Sequence, residues 1–283
     1  MRNLSNIGTI KEILSRHGFS FSKKLGQNFL VNPSVCPRMA ELSGAGEGVG
    51  VIEIGPGIGV LTQELCAISD KVVAVEIDTR LVPVLEETME GFDNFKLVNA
   101  DVMELDLNKL IEREFNDMKV VVCANLPYYI TSPVIMKLLE DKLPIEAITV
   151  MVQKEAAERI CARVGTRAGG AVTAAVNFYS DPELLFKVSA GSFMPAPKVD
   201  SAVIRLNVHK EPKYVLTDEK KFFKIIKAAF SQRRKTVANS LSSTLGVDKS
   251  EVVKALEECG ISPAARAENL CMDDFTALAE RIV

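Results

Sequence analysis

Histidine is scarce in these 283 residues: His17 and His209 are the whole supply. The six cysteines, at positions 36, 66, 123, 161, 259 and 271, nowhere stand at C-x-x-C spacing. A His/Cys metal centre is therefore not expected, and the cysteines read as free, mostly buried thiols in a reducing cytosol. No run of about 18 apolar residues occurs, so no membrane-spanning helix is expected. The N-terminus lacks the charged-then-apolar pattern of a secretory leader, and a cytoplasmic protein with no membrane partner is expected. Basic surplus is also missing, since the formal net charge is −3. A nucleic-acid partner must then be argued from where the charges sit rather than from their sum.

What is present is ordinary globular material, 47% hydrophobic and 25% charged, in a length that suits one large domain and one small. Val/Ile-rich runs at Gly48–Ile54, Lys71–Ile77, Phe95–Asn99, Lys119–Ala124 and Ala147–Val152 alternate with helical patterns such as Val60–Ile68 and Leu81–Met89. Strands without clean alternation, separated by helices, predict a mostly parallel sheet covered on both faces, a doubly wound α/β fold. Two later runs, Glu183–Val188 and Ala202–Val208, lie too close for a crossover helix and predict an antiparallel addition. Near the start, Thr9-Ile10-Lys11-Glu12 reads as a capping box and Gly18 as a helix end. From residue 211 the periodicity is helical only, as in Phe222, Ile225, Ile226, Ala229 and Phe230. The expected domains are 1–210 and an all-α unit, 211–283.

Between the first of these long strands and its helix stands Glu53-Ile54-Gly55-Pro56-Gly57-Ile58-Gly59. Glycines there let the backbone turn tightly and approach a ligand. Glu76 follows Gly55 by 21 residues at the end of the next strand, the spacing of an acid that takes ribose hydroxyls. A nicotinamide cofactor and S-adenosylmethionine both fit such a unit. The G-x-G-x-G spacing and a further acid, Asp101, closing the third strand where an adenine amine can be accepted, favour S-adenosylmethionine.

The fourth strand stops at Asn125-Leu126-Pro127-Tyr128, where sheets of this kind place ligands. Pro127 pushes Leu126 toward extended geometry, turning its carbonyl outward beside the Asn125 amide. Adenine N6 is a poor nucleophile because its lone pair is delocalised. Two acceptors, Asn125 and Leu126, can hold both N6 hydrogens and direct the lone pair at a methyl group by positioning and electrostatics. Tyr128 offers a ring face to a base taken out of its stack, and Phe193 an opposing face.

Residues 217–241 carry seven basic against two acidic residues, a local charge of +5. Lys220, Lys224 and Lys227 share a helix face, which Arg234 and Lys235, beside Arg233, continue if the helix persists. Such a stripe neutralises phosphates; the plainer alternative is a solvated face. Lys23 and Lys24 could add a second patch.

These motifs together resemble the KsgA-type small-subunit rRNA adenine N6,N6-dimethyltransferases. The resemblance rests on Lys24–Leu30 (KLGQNFL), Glu53–Gly59, Asn125–Tyr128, Phe193–Ser201 (FMPAPKVDS), Ala229–Lys235 (AFSQRRK) and Arg266–Leu270 (RAENL), and spans nearly the whole chain. It implies a class I methyltransferase fold with a helical C-terminal domain. It implies dimethylation of two adjacent adenines in the loop of the 3′-terminal helix of small-subunit rRNA, in an immature small ribosomal subunit, by a monomer. It also implies cofactor contacts at Asn28, Leu30, Gly55, Glu76, Asp101 and Asn125, the first two in a segment the residues alone leave unassigned. The stretch Gly165–Tyr179 departs from the family, with Gly169-Gly170-Ala171 where an aromatic is common, and no RNA contact is assigned in it. Two alternatives stay open: a large-subunit rRNA adenine methyltransferase of the antibiotic-resistance type, and a non-catalytic ribosome-assembly paralogue.

Overall fold

Branched aliphatic runs that can only be satisfied by burial on both sides build the centre of the larger unit. The computed structural model describes residues 4–19, 28–232 and 234–282. Its strands are β1 (Phe29–Leu30), β2 (Val49–Ile54), β3 (Lys71–Glu76), β4 (Phe95–Asn99), β5 (Lys119–Asn125), β6 (Ala147–Gln153), β7 (Ser180–Val188), β8 (Phe193–Met194) and β9 (Ser201–Val208). Seven of them form one sheet in the order β4-β3-β2-β5-β6-β9-β7. Pairing is parallel from β4 through β6, and β9 runs antiparallel to β6. β2, β3, β5 and β6 are buried along almost their full length, the pattern of strands covered on both faces. This is a Rossmann-like, mostly parallel sheet with an antiparallel strand inserted next to β6, the architecture that the resemblance implies.

The helices of the first part of the chain are α1 (Ile7–Arg16), α2 (Val35–Leu42), α3 (Val60–Ile68), α4 (Val82–Thr88), α5 (Leu107–Phe115), α6 (Thr131–Glu140) and α7 (Lys154–Ile160). Then come α8 (Ala171–Tyr179), α9 (Glu219–Ala229), α10 (Val237–Leu245), α11 (Lys249–Glu258) and α12 (Met272–Arg281). Among the described residues, no helix is long and apolar enough to cross a membrane, and no cluster of three or more His, Cys, Asp or Glu could hold a metal. The chain divides into two compact units, residues 1–157 with 183–208, and residues 158–182 with 209–283.

Three local expectations need correction. α1 starts at Ile7 rather than after Thr9, because the Asn6 side chain accepts the N–H groups of Gly8 at 2.8 Å and Thr9 at 3.2 Å, a stronger cap than threonine provides. β4 ends at Asn99, so Asp101 lies just beyond it. α9 stops at Ala229 and passes through a 3-10 turn, Phe230–Gln232, so Arg234 and Lys235 do not extend its face. A pairing that local sequence could not reveal also forms: β1 and β8 make a two-stranded ribbon, with Phe29 opposite Met194 and Leu30 opposite Phe193.

Within the helical unit, α9 turns Phe222, Ile225, Ile226 and Ala229 inward. Phe178 and Tyr179 of α8 meet Tyr214, Phe222 and Phe223 in one aromatic cluster, with centroid distances of 4.9–5.9 Å.

Beneath the sheet, Phe115 at the end of α5 lies fully buried against Gly50 of β2. A Cβ on Gly50 would stand 2.2 Å from the Phe115 ring. Neighbouring Glu114 anchors the same corner, taking Lys96 and Arg113 at 2.7 Å each and Lys71 at 3.2 Å. These cations, Lys96 foremost, hold its carboxyl down at about 2. Gly50→Ala is therefore expected to cost about 1–3 kcal/mol by overpacking, read as a lower urea midpoint, with part of the loss recovered by Gly50→Ala combined with Phe115→Leu.

Candidate active site

The carboxyl ends of β2, β3, β4 and β5 open into a cavity of about 250 Å³. Its floor is the glycine turn after β2. Gly55, Gly57 and Gly59 have φ of +69°, +62° and +93°, a region in which side chains are strained. At Gly59 the need is also steric, since a Cβ would lie 3.0 Å from Met89 Sδ. At Gly55 a Cβ would meet nothing within 4 Å; the backbone there is bare toward open space. The turn is tied to the sheet by Gly55 N–H donating to the Val75 carbonyl at 2.9 Å.

Two acids stand along one side. Glu76, the last residue of β3, is buried, and its Oε1 accepts the Asp78 N–H at 2.8 Å. Burial raises its carboxyl above the ordinary range, against the pull of the Asp78 and Gly57 N–H groups. Asp101 uses Oδ1 to accept the Met103 N–H at 2.8 Å. Ile77, Met103 and Tyr129 stay exposed at 53%, 38% and 58% while lining the same cavity, an apolar rim suited to a flat ring.

At the opposite side Asn125 ends β5, followed by Leu126 and by Pro127 with φ −56° and ψ 133°. Among the described residues, neither the Asn125 side chain nor the Leu126 carbonyl has a hydrogen-bond partner, while both residues line the cavity. Tyr128 is half-buried, and its hydroxyl shares a hydrogen bond of 2.7 Å with the Ser201 hydroxyl. Phe193 comes in from β8, and Asn28 and Leu30 from the segment at β1. The structure thus brings Asn28, Leu30, Gly55, Glu76, Asp101, Asn125, Leu126, Tyr128 and Phe193 to one cavity.

The basic residues are placed elsewhere. Lys220, Lys224 and Lys227 are exposed on α9, on the side away from its buried aliphatic stripe, and Arg234 and Lys235 are exposed beyond the 3-10 turn. Lys23, Lys24 and Arg233 lie outside the described residues.

In sequence Glu53 stands out only as part of the glycine motif. In the fold it lines the cavity, is 1% exposed, and leaves Oε2 without a hydrogen-bond partner among the described residues. Burial, with Glu76 nearby, pushes it up to about 8. A buried acid held neutral beside a cavity suits a cationic ligand, whose charge would draw it back to the carboxylate on binding. Bare glycine backbone, strand-end acids, an apolar rim and this acid together fit an adenosine ligand bearing positive charge, as S-adenosylmethionine does.

Residues 18–283 match the model of the family described as ribosomal RNA adenine dimethylase. A relative from Geobacillus thermodenitrificans, ribosomal RNA small subunit methyltransferase A, is 44% identical over 286 residues, covering 100% of this chain and 98% of its own. A solved dimethyladenosine transferase from Plasmodium falciparum is 28% identical with a TM-score of 0.72, covering 88% of this chain and 95% of its own. The solved 23S rRNA methyltransferase ErmE is also 28% identical, with a TM-score of 0.68, covering 90% of this chain and 99% of its own.

A carboxyl raised from 4.5 to about 8 is charged in the unfolded chain and neutral in the fold between those values. The stability it contributes is complete below the unfolded pKa and is lost as pH rises toward 8. Glu53→Gln is expected to flatten that decline, measured as Tm against pH from 4.5 to 9 without ligand.

Proposed function

This chain belongs to the ribosomal RNA adenine dimethylase family, and we propose that it dimethylates two adjacent adenines at N6 in the loop of the 3′-terminal helix of small-subunit rRNA. The observation that carries the adenine chemistry is the pair of unengaged acceptors, the Asn125 carboxamide and the Leu126 carbonyl, facing the cavity at the end of β5. S-adenosylmethionine, the methyl donor, supplies an electrophilic methyl group on a sulfonium centre. Gly55 offers it bare backbone, Glu76 the ribose acceptor and Asp101 the adenine-amine acceptor, with Asn28, Leu30 and Asn125 completing the enclosure. In the first transfer Asn125 and Leu126 hold both hydrogens of the target amine, and in the second one of them holds the hydrogen that is left, which favours a tetrahedral nitrogen and aims its lone pair. An amide oxygen is a poor base, so these residues orient the amine and its proton leaves to solvent. Tyr128 and Phe193 supply ring faces for a base removed from its stack.

The lysines of α9 support a role for the helical unit, 211–283, in gripping rRNA phosphates, and Arg233, Arg234, Lys235, Lys23 and Lys24 extend that reading. The 44% relative named for the small subunit favours that substrate over the large-subunit one, for which the named similarity is 28%. An immature small subunit is the proposed partner, and the protein is read as a cytoplasmic monomer. Methyl transfer from labelled cofactor to small subunits lacking the modification tests the whole reading. Label entering large-subunit rRNA instead would overturn the substrate, and subunit binding without transfer would favour an assembly factor.

Asn125→Ala is expected to lower turnover roughly a hundredfold or more, the scale of losing one preorganised partner, with cofactor affinity changed only a few-fold by calorimetry. Comparable turnover would remove Asn125 from amine orientation. Replacing Lys220, Lys224 and Lys227 by Glu is expected to weaken subunit binding and to reduce the log–log salt slope by roughly 0.7–0.9 for each phosphate no longer neutralised. An unchanged slope returns α9 to a solvated surface.

A further inference from the structure

Resting on the adenine reading above, we propose that Ser201 is a positioning residue: it holds the Tyr128 ring at the height and tilt the target base requires. Tyr128 opens a three-residue 3-10 turn closed by Ile130 N–H donating to the Pro127 carbonyl at 3.1 Å. Turns of this kind have weak hydrogen-bond geometry and cannot alone define a half-buried ring beside a cavity. The hydroxyl of Tyr128 reaches Ser201 Oγ at 2.7 Å, and Ser201 is fully buried. The ring is thereby fixed from its far end.

Ser201 is itself rigidly placed. It opens β9 and pairs with Gln153 of β6, while Asn125 pairs with Met151 of the same strand. The acceptor for the amine and the anchor for the ring therefore share β6 as a common reference, two residues apart. The residue before it is pinned as well: Asp200 accepts the Ala190 N–H on Oδ1 at 2.9 Å and the Lys154 N–H on its carbonyl at 3.0 Å. At the other end of the motif, Phe193 is held by its pairing with Leu30 in the ribbon. The segment Phe193–Ser201 so delivers the second ring wall at its start and the anchor of the first at its end. Its part in the site is to space two walls, with no chemistry asked of Ser201.

The test uses the full-length protein and small subunits lacking the modification. Ser201→Ala and Tyr128→Phe each remove the same hydrogen bond. Both are expected to lower kcat roughly tenfold to a hundredfold, the scale of a small misplacement, with cofactor Kd unchanged. The double variant is expected to be no slower than either single, and Ser201→Thr, which keeps a hydroxyl, to recover most of the loss. In 13Cζ-tyrosine NMR at neutral pH, without RNA, the resonance that disappears in Tyr128→Phe is expected to shift in Ser201→Ala. Unchanged kcat in both single variants, or losses that multiply in the double, overturns the proposal. Should Ser201→Ala fail to fold, Tyr128→Phe alone decides: full kcat there overturns it equally. A parent protein that methylates no adenine overturns instead the reading beneath, and is recognised before any variant is made.

Discussion

Hydrogen-bond register brings the ends of four parallel strands to one row. Val75 pairs with Ile54, Glu76 with Asn99, and Glu53 with Cys123, which puts Asn125 two residues further on at the same edge. Everything at the cavity inherits its position from this alignment. A slip of one residue in β5 would turn every side chain to the opposite face and carry Asn125 away from the glycine turn. The tightness of the packing beneath, where Phe115 fills the space left by Gly50, and the ion pairs of Glu114 with β3 and β4 hold that register from the far side.

Much of the sheet is legible in the sequence because parallel strands announce themselves as unbroken branched aliphatic runs, and the G-x-G-x-G turn because positive φ leaves glycine as the natural choice. The end of α9 at Ala229 is not legible: Phe230 and Ser231 keep the helical spacing, and the turn is decided by tertiary packing, with the Phe230 ring 5.8 Å from that of Phe275. Nor is the ribbon of β1 and β8, two residues on each side, whose pairing no local pattern encodes. The convergence of Asn28 and Leu30 with Phe193 can be anticipated by resemblance alone. Glu53 is hidden for a different reason: in sequence it is one acid of a motif, and its isolation from partners exists only after folding.

That isolation is reinforced by the thiols. Cys36, Cys66 and Cys123 all lie buried in Glu53's neighbourhood, and burial raises each of them, Cys66 to about 12. Neutral sulfur offers the acid no compensating charge, so a cation bound in the cavity is what would draw Glu53 back to its carboxylate. The aromatic and apolar rim supplies the complementary preference for a flat ring.

The ribbon has a consequence for how the molecule comes into being. Asn32 and Ser192, 160 residues apart, are joined at 3.2 Å beside the pairing of Leu30 with Phe193. A pairing across such sequence separation forms late, and on the ribosome the segment at β1 must wait until β8 has emerged before it has anything to pair with. The parallel strands β2 to β6 can assemble earlier, leaving the cavity walled on one side only. Enclosure of the site thus waits for β8 and then for β9, which follows it in the chain and pairs with β6, and a chain truncated before residue 193 would lack both the wall at Phe193 and the anchor of Tyr128.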